Sequence, residues 1–196
     1  MIIVSNHLSN LDPPIVASLA PSAPAFLAKK ELFIFPLNLF LLPYGAYPLD
    51  RSRADMKALG WARQQLESGR PVLLFPEGTR SRGQGLLKAK AGAALLAVES
   101  GAPVVPVAIA GSEKHQSLLR LFAPTGNLDI KIGRPFVVKA EHRSPERRVL
   151  VGVTGEIMDR IARLLPEGYR GVYSKPAGLP YEFTEDAVQP AGERVG

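Results

Sequence analysis

Apolar residues along this chain come in short runs separated by amphipathic stretches. Residues 2–4 are a brief apolar run rich in β-branched side chains, which predicts a buried strand. Asp12-Pro13-Pro14 then predicts a helix start, with aspartate suited to the N-cap and proline to the first helical position. That helix is expected to run to about Leu19 and to stop before Pro21. Residues 25–27 predict a second short strand. Met56, Leu59, Ala62 and Leu66 share one face of a helix predicted over residues 53–68, with Gly69 at its stop. Residues 71–75 are another apolar run, expected as a central parallel strand.

Residues 90–100 predict a largely apolar helix ended by Gly101. Residues 104–110 predict a strand in which Pro106 argues for an edge or a bulge. Leu128, Ile130 and Ile132 alternate with polar residues, as in a half-buried strand, and residues 135–138 continue the extended region. The last helix is expected to be capped by Ser144, to start at Pro145, and to present Leu150, Val153, Ile157, Ile161 and Leu164 on one face. Pro166 and Gly168 end it. From Arg170 no period persists, and Pro176, Gly178, Pro180, Pro190 and Gly192 predict an extended or disordered tail over residues 170–196.

Strands alternating with helices define the fold class: α/β, one domain over residues 1–169, with a mixed, mostly parallel sheet flanked by helices. Ligands on such sheets bind beyond the carboxyl ends of strands. That rule singles out Asn6-His7 after the first strand and residues 76–80 after the strand that ends at Phe75.

Composition narrows the choices. The chain has 196 residues, 46% hydrophobic and 21% charged, which fits a folded domain with a substantial core. It contains no cysteine, so disulfides, thiolate metal sites and cysteine nucleophiles are excluded. The three histidines, His7, His115 and His142, are scattered, and no metal site is expected because catalytic zinc needs three converging ligands. The formal charge of +6 suits nucleic acid, an anionic membrane or a phosphorylated small molecule. The basic residues are spread along the chain without an aromatic-interleaved block, so nucleic acid is not the expected partner. Residues 32–49 are uncharged, but Pro36, Asn38, Pro43 and Pro48 interrupt them. A membrane-spanning helix needs about 20 mostly apolar residues. This stretch is therefore read as packed on the core or dipped into a bilayer surface, and no transmembrane helix is expected.

Three segments could carry chemistry. His7 leaves a strand and Asp12 follows five residues later at a helix start. If the loop turns back, the carboxylate meets one ring nitrogen and leaves the other as a general base. Spacing alone also allows Asp12 as a plain N-cap and His7 as a loop residue. In residues 75–82, Phe-Pro-Glu-Gly-Thr-Arg-Ser-Arg, backbone amides at Gly78 with Thr79, Arg80 and Arg82 could hold a phosphate, or the segment could be a polar surface turn. Residues 47–53 offer a second basic turn, and Lys88 and Lys90 precede Gly92. No Gly-x-Ser-x-Gly elbow is present, which makes a serine hydrolase remote.

Taken together and in order, these segments resemble the glycerolipid acyltransferase family, typified by 1-acyl-glycerol-3-phosphate acyltransferases. The family's Asn-His-x-Ser-x-x-Asp block matches Asn6, His7, Ser9 and Asp12. Its Gly followed by Arg matches Gly45 and Arg51, and its Phe-Pro-Glu-Gly-Thr-Arg-Ser block is complete over residues 75–81. Its apolar strand around a proline matches Val104-Val105-Pro106-Val107, and a Lys-x-Gly matches Lys90 and Gly92. The resemblance covers about residues 1–170. Members usually carry an N-terminal helical segment ahead of the first block. Here His7 stands almost at the start, so the domain is expected to lack that segment.

The resemblance implies transfer of a fatty acyl group from a thioester, acyl-CoA or acyl carrier protein, to the free hydroxyl of 1-acyl-glycerol 3-phosphate. It implies His7 as general base and Asp12 as its orienting carboxylate. Arg51, Thr79, Arg80 and Lys90 are the implied phosphate-side residues, with Glu77 and Gly78 shaping the acceptor site. No cofactor is implied beyond the thioester co-substrate. The implied place is the cytoplasmic face of an anionic membrane surface, held peripherally or monotopically. The same chemistry on glycerol 3-phosphate or another lysophospholipid, and a non-catalytic lipid-binding fragment, are the alternatives.

Overall fold

A computed structural model describes residues 1–30, 45–49, 56–114 and 127–187. Its centre is a parallel core of β1 (Ile2–Ser5), β2 (Ala25–Lys29), β3 (Ala46–Leu49), β4 (Val72–Leu74) and β5 (Val104–Ala110). The order is β3-β2-β4-β1-β5, and all four pairings along it are parallel. Antiparallel strands extend one side: β6 (Asp129–Ile132) and β7 (Phe136–Val138) both pair β5, and β8 (Thr184–Asp186) pairs β7. The sheet is thus mixed and mostly parallel, as expected.

Among the described residues, four helices cover it: α1 (Asp12–Leu19), α2 (Met56–Glu67), α3 (Gly92–Ser100) and α4 (Arg147–Leu164). Alternation along each strand divides the core in two. Ile2, Val4, Val72, Leu74, Val104 and Ala108 join buried residues of α2, α3 and α4. Ile3, Leu73, Val107 and Ile109 join Val16 of α1. Both faces of β1 and β4 are covered, which explains why these strands are uninterrupted apolar runs. None of the helices among the described residues is long and apolar enough to cross a membrane. The uncharged stretch expected against the core or a bilayer surface lies mostly outside the described residues.

Several sequence expectations change. Pro106 suggested an edge or a bulge, yet β5 is paired on both sides. Pro106 falls between Val104, which pairs β7, and Val107, where pairing with β6 starts. Its missing N–H therefore sits at the changeover between two partner strands. β6 was expected half-buried, but Ile132 is 57% exposed and only Ile130 packs on the core. α4 starts at Arg147 with Glu146 as N-cap, two residues later than Ser144 and Pro145 suggested. Of the tail read as extended or disordered, residues 170–187 are described: they pack on the domain, with Phe183 and Thr184 buried and β8 completing the sheet edge. No hydrophobic period announces it because a three-residue strand is too short to show one.

Phe136 is fully buried on β7, with the Arg160 guanidinium 4.3 Å from its ring centroid. Phe136→Ala is expected to cost about 3–5 kcal/mol through the cavity it leaves. Chemical denaturation of the two proteins side by side measures it.

Candidate active site

The site forms where the chain leaves β1. Asn6 is buried, and its side-chain amide clamps one residue of β5 from both ends. Its Nδ2 donates to the Ile109 carbonyl at 2.8 Å, and its Oδ1 accepts the Ile109 N–H at 2.8 Å. His7 is next. Its N–H donates to Glu77 Oε1 at 2.9 Å, and its carbonyl accepts from the Ser81 N–H at 2.8 Å. Its ring stacks on Phe75 at 4.3 Å between centroids. Backbone and ring are therefore both held by the segment that follows β4.

The third restraint on His7 is Asp12, 2.9 Å from Nδ1 through Oδ2. Asp12 is wholly buried. The same Oδ2 accepts the N–H groups of Leu8 at 2.6 Å and Ser9 at 2.7 Å. Oδ1 accepts Ser9 Oγ at 3.2 Å and Ser112 Oγ at 2.6 Å. Asp12 was a candidate N-cap, but Leu11 occupies that position and the carboxylate faces back into the preceding loop. An ionised carboxylate only accepts, so Nδ1 carries the hydrogen toward it and Nε2 keeps its lone pair. Such a ring can take up a proton at Nε2 while the carboxylate stabilises the cation that forms.

Glu77 lies 3% exposed beneath this pair. Its Oε1 accepts the His7 N–H and its Oε2 accepts the Leu87 N–H at 2.8 Å. Both oxygens thus accept backbone N–H groups, one of them that of His7. Burial pushes its carboxyl up to about 7, while the two backbone hydrogen bonds hold it down and the Asp12 charge adds to the rise.

The expected phosphate-side residues divide. Gly78 adopts φ +67, a left-handed conformation that favours glycine, and the Lys90 side chain lies across it. A Cβ at Gly78 would come 3.2 Å from Lys90 Cδ. The Lys90 N–H donates to the Pro76 carbonyl at 2.9 Å, so the loop closes on itself with the lysine beside the turn. Thr79 is exposed and Arg80 half-buried on the same turn. Gly78, Thr79 and Arg80 therefore follow one another on one turn, with the Lys90 side chain against its glycine. Arg51 lies outside the described residues.

Ser112 was not anticipated. The rule about carboxyl ends of strands also points to it, because it follows β5 directly. Among the described residues, no group of three or more His, Cys, Asp or Glu could hold a metal ion. A cleft of about 740 Å³ lies elsewhere, lined by Arg134, Arg160, Arg163 and Tyr181 among others. Arg160 and Arg163 are already paired with Asp186 and Asp159. That cleft holds none of the residues around His7.

Comparison with known proteins places this geometry. The acyltransferase family model matches residues 1–110, and the chain belongs to that family. It is 35% identical over 100 residues to the 1-acyl-sn-glycerol-3-phosphate acyltransferase of Helicobacter pylori, covering 49% of this chain and 42% of that protein. It is 36% identical over 88 residues to the lyso-ornithine lipid O-acyltransferase of Pseudomonas aeruginosa, covering 44% of this chain and 33% of that one. Among solved structures it is similar to the 1-acyl-sn-glycerophosphate (LPA) acyltransferase PlsC from Thermotoga maritima. The TM-score is 0.62 and the identity 27%, over 83% of this chain and 64% of that chain. The matched part thus spans less than half of each of the two sequence relatives and just under two thirds of the solved structure.

Glu77 generates a test. Its carboxyl lies above the ordinary 4.5, so the folded protein keeps a proton that the unfolded chain releases. Its contribution to stability is full below pH about 4.5 and is lost as pH rises to about 7. The loss is on the order of 3 kcal/mol. Glu77→Gln removes that slope and turns an amide NH₂ toward the His7 or Leu87 N–H. Denaturant midpoints of both proteins from pH 4 to 8 are expected to show a pH-dependent difference of that sign, and parallel curves would contradict it.

Proposed function

We propose that the protein transfers a fatty acyl group from a thioester to the free hydroxyl of a 1-acyl-glycerol 3-phosphate, giving phosphatidic acid. The observation that carries this reading is the buried His7–Asp12 pair at 2.9 Å, which engages Nδ1 and not Nε2. It stands beside a turn that bears Arg80 and has the Lys90 side chain against its glycine, in a chain of the acyltransferase family. The relatives named for phosphatidate-forming chemistry support the acceptor class.

In this mechanism the acceptor hydroxyl gives its proton to His7 Nε2 as its oxygen attacks the thioester carbonyl. The tetrahedral intermediate collapses, the carbon–sulfur bond breaks, and the thiolate takes the proton back from the imidazolium. The products are an ester and a free thiol. General-base help of this kind is worth about 10²–10⁴ in rate. Asp12 holds the ring in the required tautomer and offsets the imidazolium charge. Phe75 and Glu77 keep ring and backbone from drifting. Arg80 and Lys90, with Arg51, are the cations for the acceptor's phosphate, Arg80 being suited to a bidentate contact. The thioester carrier, coenzyme A or acyl carrier protein, is a co-substrate, and the chemistry needs no metal. The lipid acceptor puts the working protein at an anionic membrane surface.

A second acceptor is favoured by one observation, the similarity to a lyso-ornithine lipid O-acyltransferase. The bond-making steps would be the same, and the acceptor headgroup would differ.

The test is thiol release from acyl-CoA and from acyl carrier protein, with lysophosphatidic acid, glycerol 3-phosphate and lyso-ornithine lipid as acceptors in detergent. His7→Ala is expected to lower turnover at least about 100-fold while the fold persists. Near wild-type turnover would remove His7 from the mechanism. Arg80→Ala is expected to raise KM selectively for the phosphorylated acceptors. An equal loss on all acceptors would count against a phosphate contact.

A further inference from the structure

The segment over residues 169–173 lies outside the part matched by the acyltransferase family model. It follows α4 and runs against the loop after the site's Glu-Gly turn. The Leu86 N–H donates to the Tyr169 carbonyl at 2.9 Å, and the Val172 N–H donates to the Leu86 carbonyl at 3.1 Å. The Ala89 N–H donates to Tyr173 Oη at 3.1 Å. Gly85 and Gly171 pass backbone to backbone, and a Cβ on Gly85 would stand 2.8 Å from Gly171 Cα. Gly171 adopts φ +49, and a side chain there would overlap the Leu86 peptide.

These contacts bracket Leu87 on both sides. Leu87 is the residue whose N–H holds Glu77 Oε2, while Glu77 Oε1 holds the His7 N–H. A second route leads to the other partner of His7. Tyr169 Oη donates to Glu113 Oε1 at 2.8 Å. Glu113 follows Ser112, whose hydroxyl donates to Asp12 Oδ1 at 2.6 Å. One strap of five residues thus reaches both carboxylates that fix His7, through separate loops.

We propose that residues 169–173 are a positioning strap for His7, acting through Leu87 and Glu77 on its backbone and through Glu113 and Ser112 on Asp12. Tyr169, Gly171 and Tyr173 are its positioning residues. The proposal rests on His7 being the base, and its consequence is that the acyltransferase site is completed by chain beyond the family-defining segment. Small displacements of a catalytic group are costly, since about 1 Å can lower rate on the order of 100-fold.

The experiment compares Tyr169→Phe, Tyr173→Phe and their double variant with Tyr181→Phe. Tyr181 lies further along the same tail and donates to Asp159 at 2.6 Å, away from His7. Three quantities are read: thermal midpoint, the ¹⁵N titration of the His7 ring by NMR, and kcat with KM for the acceptor. Each strap variant is expected to lower kcat roughly three- to tenfold, the worth of one hydrogen bond, with KM nearly unchanged. Each is also expected to displace the His7 titration from that of the wild type. Tyr181→Phe is expected to lower the thermal midpoint alone. A double strap variant with wild-type His7 titration and wild-type kcat would overturn the proposal. Gly171→Ala is the severe form, and if it does not fold the tyrosine variants decide the matter. The ring titration needs no turnover, so a wild-type protein without transferase activity would defeat the functional reading and still leave the strap tested.

Discussion

The arrangement depends on one buried charge. Asp12 has no solvent exposure, and a carboxylate at that depth is tolerated only when its oxygens are met by donors. Among the described residues five donors meet it, from His7, Leu8, Ser9 twice, and Ser112. Each imposes something on the chain. The amides of Leu8 and Ser9 require the loop before α1 to fold back over the helix start. Ser112 requires β5 to end level with that loop. The ring requires Nδ1 to carry the hydrogen, and that in turn frees Nε2. The same charge therefore sets the loop, the strand end and the chemistry of the histidine.

The sheet makes those demands compatible. β1 lies between β4 and β5 and runs parallel to both, so three carboxyl ends emerge side by side. The segments that follow them carry His7, Glu77 and Ser112. His7 and Glu77 are 70 residues apart in sequence, and Asn6 and Ile109 are 103 apart. No local turn could join such residues, and only parallel neighbours with crossover helices bring them to one edge. Asn6 fixes the spacing by spending its whole amide on a single β5 residue.

Much of this was legible in the sequence. The uninterrupted apolar runs at β1 and β4 announced buried strands, and the spacing of His7 and Asp12 announced a loop that could close. Other parts were not legible because their causes are tertiary. Ile130 and Ile132 show a strand's period, but period reports which residues share a face and not whether anything covers that face. Ile132 stays exposed. The strand at Thr184–Asp186 exists because β7 offers it an edge, and its own sequence has no signature. Ser112 is an ordinary serine until β5 is known to lie beside β1.

The block over residues 75–81 shows how a motif can be recognised while the division of labour within it is not. Read as a string, its glutamate, glycine, threonine and arginine all invite a ligand. In the fold, Phe75 underlies the His7 ring, Glu77 takes the His7 N–H, and Ser81 donates to the His7 carbonyl. Those three residues face inward toward His7. Thr79 is exposed and Arg80 half-buried, and Gly78 supplies the left-handed turn between the two sets. The alternation follows from the turn itself, because a chain that reverses at Gly78 must present its flanks to one side and its apex to the other. The segment thus holds His7 from beneath through a ring, a carboxylate and a backbone N–H that one short length of chain brings together.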